Sequence, residues 1–462
     1  MTSTHQQLSR SLSLPAVVMN GMAFMALTTV FSTYGIAAEI SNGMVAGAYL
    51  VALVVMMFTA HSYGQMARAF PMSGSAYTYA QHAINPFVGF LVGWAILMDY
   101  LFIPMVNFLL FGIFFSAAIP QIPEFVWILA LIVIVTYVNA KGVKFSSRIN
   151  MIIISLSALF LLLFGVLAIR SILSGTGTGM LVNLDPIFDP SKSPTYLIAG
   201  AALLCFSFLG FDAVTTFSEE VKDPKKNVPR AIFLVTIIGG LIFTSAAYFA
   251  HNVWPDFTTF KDPDAAANEI FLLIGGSAMQ AAFLTITALV VFGSASASQA
   301  SAARVLYAMG RDGQLPQKFF GTLNEKTKVP VNNILLIGVI SLSALFVSLS
   351  FITTFINFGA LLSFTVVNLS VIIYYYVKQK RRSPFDTVKF LIIPAMGALM
   401  TLALLVNLDM YSKVVGSIWF LLGVIYLGWM TKGFRQPPPT LHTDPDSGVS
   451  EEIVENTPST TP

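Results

Sequence analysis

The sequence is poor in charged residues and has almost no cysteine. Only 10% of its 462 residues are Asp, Glu, Lys or Arg, whereas a soluble globular protein carries about 25%. The single cysteine, Cys205, excludes an internal disulfide and a thiolate metal cluster. The five histidines lie far apart and no phosphate-binding loop occurs, so we expect no metal, no cofactor and no ATP hydrolysis by this chain. A net charge of +3 is too small to indicate nucleic-acid binding.

Apolar residues make up 56% of the chain and come in blocks of about 20, the length that crosses a hydrocarbon core of about 30 Å. Because helices satisfy their own backbone hydrogen bonds and no barrel-like alternation is present, the sequence predicts an all-α membrane protein. Twelve spans are predicted, at residues 15–38, 44–69, 86–118, 124–140, 149–172, 193–217, 230–252, 268–302, 330–350, 353–377, 388–408 and 413–431.

Lysine and arginine are distributed unequally between the two ends of these spans. With the N-terminus inside, only four of the 25 basic residues fall in outer segments: Arg170, Lys192, Lys261 and Lys413. The positive-inside rule therefore predicts that both termini are cytoplasmic.

Outside the spans, two short segments are predicted. Residues 1–14 form a cytoplasmic N-terminal segment before a first span that we expect to be retained rather than cleaved as a signal peptide. Residues 15–432 form the membrane domain. Residues 433–462 are rich in Pro, Thr and acidic side chains, which is typical of a disordered tail.

Two apolar spans contain residues that an unbroken lipid-facing helix does not need. Residues 21–31 read GMAFMALTTVF and include Thr28 and Thr29, while residues 206–212 read FSFLGFD and include Ser207, Gly210 and Asp212. The threonines could bond back to carbonyls within an intact helix. Their pairing with a Ser/Gly interruption favours two broken helices, whose exposed carbonyl and N–H ends form transporter sites near the membrane midplane.

Carboxylates inside a membrane cost at least about 2.5–3.5 kcal/mol near a helix centre, so each one needs a reason. Asp212 is either a cap on the half-helix after the second break or a group that meets a cationic substrate or carries a proton. Asp99, followed by Tyr100, is either a structural partner across the bundle or a substrate contact. Glu219 and Glu220 lie where the sixth span leaves the membrane.

Three ordered motifs resemble those of the amino acid–polyamine–organocation (APC) superfamily. They are FSFLGFDAVTTFSEEVKDPKKNVPRAI at residues 206–232, FPMSGSAYTYAQHAINPFVGFLVGW at 70–94 and ARVLYAMGRDGQLP at 303–316. Within the superfamily, the chain is most similar to bacterial putrescine importers. That similarity lies in DYLF at residues 99–102, FKDPDAA at 260–266 and NFGALLSFTVVNLSV at 357–371.

The resemblance implies a leucine-transporter-type fold in a bacterial inner membrane. It has an inverted repeat of five spans plus five, with helices 1 and 6 broken and two spans appended. It also implies uptake by alternating access, with protons as the expected coupling ion. The unwound segments fall on residues 26–30 and 207–210. Tyr100 and Glu219 or Glu220 match positions of polyamine recognition. The predicted substrate-binding residues are Thr28, Thr29, Ser32, Asp99, Tyr100, Ser207, Gly210, Phe211, Asp212, Glu219 and Glu220.

The chain departs from that pattern at three places. A glycine-rich first break, which holds an amino acid carboxylate in many members, is replaced by Leu27-Thr28-Thr29. The aspartate that follows this break in putrescine importers is replaced by Ser32, and a lysine of the fifth span in some proton-coupled relatives is missing. The sequence therefore predicts an importer of putrescine or another small amine. The alternatives are an amino acid permease of the same superfamily and, from another class, a membrane sensor signalling through its tail. No arrangement of residues supports an enzyme.

Overall fold

The computed structural model describes residues 12–71, 75–142, 147–218, 220–311, 315–325, 327 and 329–438. Glu219 and the tail beyond residue 438 lie outside this set. The described residues form no strand; an isolated bridge joins Leu12 to Val221. The α-helices are α1 (Leu14–Met25), α2 (Thr29–Ser32), α3 (Tyr34–Ile40), α4 (Val45–Ala69), α5 (Ser75–Ala83), α6 (Pro86–Ala118), α7 (Glu124–Ala140), α8 (Ser147–Leu173), α9 (Thr195–Leu204), α10 (Pro224–Val253), α11 (Ala266–Arg311), α12 (Gln317–Phe320), α13 (Val331–Ser341), α14 (Leu349–Val371), α15 (Pro384–Thr387), α16 (Ile393–Val406) and α17 (Met410–Met430).

The all-helical class and the membrane character are confirmed. Within the described ranges, ten helical segments are long and apolar enough to cross a membrane. Two shorter apolar segments, Glu124–Ala140 and Val331–Leu345, coincide with the fourth and ninth predicted spans. The first has 17 residues, about 25 Å at 1.5 Å per residue, which is below the usual core thickness of about 30 Å. The count of twelve spans therefore stays a prediction.

Helix boundaries follow capping chemistry visible in the sequence. The Asn85 side chain accepts from Val88 N at the start of α6, and the Asp409 side chain accepts from Ser412 N at the start of α17. Proline at the first helical position of α6 and α10 needs no N–H partner there.

Close helix packing fixes the frame around the two predicted breaks. A Cβ on Gly240 of α10 would lie 2.4 Å from a methyl of Leu53 on α4, so these helices touch with no room for a side chain. Behind the first break, the Phe31 ring lies 4.9 Å, centroid to centroid, from the rings of both Phe164 and Phe271. Such edge-to-face aromatic pairs anchor the chain immediately before Ser32.

Candidate functional site

The first transmembrane helix is interrupted after Met25. Ala26 has φ 48°, a left-handed conformation that non-glycine residues rarely adopt, and helix resumes at Thr29. The Thr29 hydroxyl donates to Met25 O at 3.0 Å and to Ala26 O at 2.6 Å, and Ala26 O also accepts from Thr29 N at 2.8 Å, so Thr29 bonds carbonyls on the other side of the break. The Thr29 hydroxyl therefore bonds back to carbonyls of the preceding turn, as one of the two alternatives predicted. The helix is nevertheless broken, and the break is shorter than the predicted residues 26–30.

The sixth span is interrupted in the same way. Helix α9 tightens into a 3-10 segment at Cys205–Phe208, Gly210 takes φ 115°, and a second 3-10 segment runs over Asp212–Phe217. The Asn357 side chain of α14 donates from Nδ2 to Ala202 O at 2.9 Å and to Leu203 O at 2.8 Å. These bonds satisfy carbonyls just ahead of the break.

The two breaks meet at Gly210. A Cβ built on this glycine would lie 2.8 Å from Phe24 Cβ, 2.9 Å from Phe24 C and 3.0 Å from Met25 N. Only a residue with no side chain allows the two backbones to approach this closely. The sequence-based expectation that the two interruptions face each other thus agrees with the structure.

A small cavity of about 70 Å³ lies beside this contact. Its polar lining residues are Thr28, Thr29, Ser32, Asn107, Thr287 and Ser294. The Asn107 side chain donates from Nδ2 to Ser294 Oγ at 3.1 Å. Among the residues that the structure describes, no charged side chain lines this cavity. Its volume is far below the roughly 300–1,000 Å³ of ligand pockets, so this conformation is closed around the cavity.

The carboxylates form a separate group next to the cavity. Asp212 accepts from Gly210 N at 3.3 Å, which ties its side chain to the second break. Asp99 lies close enough to interact electrostatically with Asp212. Asp99 also precedes the cavity residue Ile103 by four positions on α6, about 6 Å along the helix. Asp99 therefore lies about one helical turn from the cavity, towards the N-terminal end of α6. Asp212, three positions after the lining residue Leu209, lies within electrostatic reach of Asp99.

Three tyrosines surround these carboxylates. Tyr63 of α4, Tyr79 of α5 and Tyr100 of α6 all interact electrostatically with Asp212. Within the described residues, four buried polar atoms here form no hydrogen bond of good geometry: Tyr63 OH, Ser75 Oγ, Tyr79 OH and Asp99 Oδ1. The Ser75 hydroxyl nevertheless lies within reach of Tyr63 and Asp212, and the Thr215 hydroxyl lies within reach of Tyr79. Buried polar groups are nearly always paired, so this group offers hydrogen-bonding capacity to a ligand or to water. We call these six residues (Tyr63, Ser75, Tyr79, Asp99, Tyr100, Asp212) the carboxylate–tyrosine cluster.

Of the other predicted site residues that the structure describes, Phe211 adjoins the cluster, while Ser207 and Glu220 belong to neither polar group. Ser207 is buried and bonds the Tyr49 hydroxyl at 2.9 Å. The buried Phe211 ring packs 5.6 Å from Tyr63, centroid to centroid. Glu220 accepts through its backbone carbonyl from Leu12 N at 2.9 Å and does not line the cavity. Glu219 falls outside the described residues. The assignment of these residues to substrate binding stays a prediction.

The sequence analysis did not identify several residues of the carboxylate–tyrosine cluster and of the cavity lining. Tyr63, Ser75 and Tyr79 belong to the cluster, and Asn107 belongs to the cavity lining. Tyr63 and Asn107 are polar residues within apolar spans, a signal that could have found them. Ser75 and Tyr79 lie within the motif at residues 70–94, but nothing local shows that the packing of α5 brings them beside Asp212.

Asn357→Ala tests how the second break is held. Loss of two neutral hydrogen bonds, each contributing about 0.5–1.5 kcal/mol, should destabilise the protein by about 1–3 kcal/mol and lower its melting temperature in detergent. The control is Asn407→Ala, since Asn407 is exposed and its side chain donates from Nδ2 to Ala403 O, four positions earlier, at 2.9 Å. Equal melting temperatures for the two variants would contradict the assigned role.

Comparison with known proteins places this architecture in a family. A family model described as "Amino acid permease" matches residues 19–431. The chain is 43% identical over 434 residues to the low-affinity putrescine importer PlaP of Escherichia coli (strain K12), covering 94% of this chain and 96% of that protein. It is 26% identical over 452 residues to the branched-chain amino acid permease BcaP of Bacillus subtilis (strain 168), covering 92% and 93%. It is 25% identical over 449 residues to the methylthioribose transporter of the same organism, covering 92% and 94%.

These relatives are named as importers, permeases and transporters, which agrees with a multi-pass membrane protein that is not an enzyme. The resemblance inferred from the three sequence motifs is confirmed by the family match and by the identity to PlaP. The chain belongs to the amino acid permease family.

Proposed function

We propose that this protein imports putrescine or a closely related small organic amine by alternating access, driven by an ion gradient with protons as the coupling ion. The observation that carries the proposal is the carboxylate–tyrosine cluster beside the two touching breaks. It combines two carboxylates with hydroxyls that form no well-oriented hydrogen bond in the described part of the chain. The 43% identity to PlaP supports the same substrate class.

The charge of the cluster favours a cation. Neither Asp99 nor Asp212 forms an ion pair with any basic side chain that the structure describes. Buried carboxylates without a partner are costly, and an ammonium group would offset that cost with charge-assisted hydrogen bonds. A diamine carries two such groups and has no carboxylate of its own to be repelled by Asp99 and Asp212.

The relative position of cavity and cluster suggests an order of contacts. With both termini cytoplasmic, the N-terminal end of α6 faces the cytoplasm, so the cluster lies on the inner side of the neutral cavity. We infer that an entering amine first contacts Thr28, Thr29 and Ser32. It then reaches Asp212 and Asp99 as the inner side opens.

The proposal includes the twelve-helix topology, with an inverted repeat of five helices plus five. The transporter domain covers residues 15–432, flanked by the cytoplasmic segments 1–14 and 433–462. The two observed breaks support this repeat, because each interrupts the first helix of one predicted half. A bacterial inner membrane is the proposed location.

The second candidate is an amino acid permease. It is favoured by the uncharged lining of the cavity, which does not by itself select a cation, and by the relation to BcaP. This candidate requires donors for the substrate carboxylate, and the first break has no glycine among residues 26–30 to bring bare N–H groups close to it.

Uptake into proteoliposomes decides between the candidates. Purified full-length protein takes up labelled putrescine under an imposed inward proton gradient, and unlabelled diamines, monoamines and amino acids compete in turn. We expect diamines to compete best and a proton ionophore to abolish accumulation. Competition by amino acids and not by diamines would favour the permease. Binding without uptake of any of these substrates would favour the sensor.

The variant Ser32→Asp tests whether a carboxylate beside the first break strengthens the binding of the amine. Ser32 lines the cavity at the place where putrescine importers carry an aspartate. A hydrogen-bonded charge pair contributes about 1.5–3 kcal/mol, so the variant should lower the KM for putrescine about tenfold or more. Ser32→Asn is the matched uncharged control and should leave the KM near that of the wild type. An unchanged KM in Ser32→Asp would place the bound amine away from this residue.

A further inference from the structure

We propose that a groove between α4 and α10 binds the headgroup of an anionic phospholipid. The groove is open to the protein surface and has a volume of about 420 Å³. Its lining includes Leu14, His61, Gln65, Arg68, Arg230 and Phe233. Its floor is closed where Gly64 of α4 meets Pro229 of α10, since a Cβ on that glycine would lie 3.2 Å from Pro229 Cβ.

The described side chains give the groove a positive charge. Arg68 and Arg230 are exposed, and neither forms an ion pair with an acidic side chain that the structure describes. A third basic residue, Lys389, is held beside them: its backbone carbonyl bonds His61 Nε2 at 3.0 Å, and its side chain interacts electrostatically with Arg68. A phosphate group is the complementary ligand for guanidinium groups, which bind it through paired N–H donors.

The described acid that interacts with Lys389 does not neutralise this group. Asp386 interacts with Lys389, but its carboxylate is paired with Arg381 at 3.0 Å. Arg381 also interacts with Lys389, and its charge and that of Asp386 balance each other.

The groove continues into an apolar surface, which distinguishes a lipid from a soluble anion. On α10 the exposed residues Leu234, Ile238 and Leu241 follow Arg230 at the spacing that places them on one helix face. On α4, Val54 lies two turns before His61 and is 47% exposed. A phosphate seated between the arginines would therefore have its acyl chains along this surface. Basic pockets between transmembrane helices bind such headgroups elsewhere.

The position along the helices fits a membrane interface. Arg68 is in the last turn of α4 and Arg230 is near the start of α10, so both guanidinium groups lie at the same end of two adjacent spans. In the orientation proposed above, this end faces the inner leaflet. The site is remote from the cavity between the breaks and does not depend on which substrate is carried.

Thermal unfolding of the full-length protein in detergent, titrated with defined lipids, tests the proposal. Phosphatidylglycerol should raise the melting temperature and phosphatidylcholine should not. In the double variant Arg68→Gln with Arg230→Gln, the apparent affinity for phosphatidylglycerol should fall about 30-fold, as expected for two basic side chains near a membrane surface. The control, Lys432→Gln with Arg435→Gln, removes the same charge from exposed positions and should keep the wild-type affinity.

Three results would overturn the proposal. Equal shifts with both lipids would show that the headgroup charge is not recognised. An unchanged affinity in the Gln pair would place the lipid elsewhere. An equal shift with inorganic phosphate alone would identify a soluble anion as the ligand. If the Gln pair melts early in phosphatidylcholine, the single variants Arg68→Gln and Arg230→Gln decide: a weakened phosphatidylglycerol shift in either one supports the site, and wild-type shifts in both contradict it.

Discussion

Gly210→Ala should lower transport by more than tenfold. The residue has φ 115°, which L-residues adopt at a cost of about 1–3 kcal/mol. Its new Cβ would also lie within 3.0 Å of three atoms of Phe24 and Met25, two of which belong to the backbone. Backbone atoms cannot turn away as a flexible side chain can, so overpacking adds about 1–3 kcal/mol. The two breaks must then separate, and the cavity and Asp212 move with them.

The measurement is the initial rate of amine uptake per inserted molecule, together with the melting temperature in detergent. Gly165→Ala is the matched control. Gly165 lies inside α8 and has open space where its Cβ would be, so this variant should transport normally. Wild-type uptake by Gly210→Ala would show that the contact between the breaks is not needed for transport.

Asp212→Asn should reduce uptake of a cationic amine about 10- to 100-fold while leaving folding almost unchanged. The amide keeps an oxygen that can accept from Gly210 N, which is 3.3 Å from Asp212 Oδ1, so the local cap is preserved. The negative charge is lost, and a hydrogen bond to a charged group contributes about 1.5–3 kcal/mol. Transport should therefore fall much more than stability.

Uptake, surface expression and melting temperature are measured together for this variant. Asp185→Asn removes one charge from an exposed loop residue and should change none of the three. Parallel losses of expression and uptake in Asp212→Asn would restore the alternative that this carboxylate is only a helix cap. The Asp99→Asn variant, measured in the same way, separates the contributions of the two carboxylates.

Much of the frame could be predicted from local sequence. Apolar runs of about 20 residues predicted helical spans because a membrane leaves the backbone no other partner for its hydrogen bonds. Thr28–Thr29 and Ser207–Gly210 marked the breaks because uninterrupted lipid-facing helices do not need hydroxyls and glycine together. Asp99 and Asp212 were identified because a carboxylate in a bilayer requires a compensating role. These signals depend on composition along a single span.

Which residues form the site, and how they are arranged, depends on contacts between spans. Gly210 was visible as a breaker, but only the packing of the two spans puts Phe24 and Met25 within 3.0 Å of its missing side chain. Asn357 lies 154 positions from Leu203 in the sequence, and its role follows from where α14 passes the break.

The separation of cavity from carboxylates was also decided by the tertiary structure. The sequence placed Ser32, Asp99 and Asp212 in one predicted site, whereas Ser32 lines an uncharged cavity and the carboxylates lie outside that lining, among Tyr63, Tyr79 and Tyr100. Sequence determines which residues are costly in a membrane, because that cost is local. Which of them meet is decided by helix packing, because neighbouring side chains in this site come from spans that are distant along the chain.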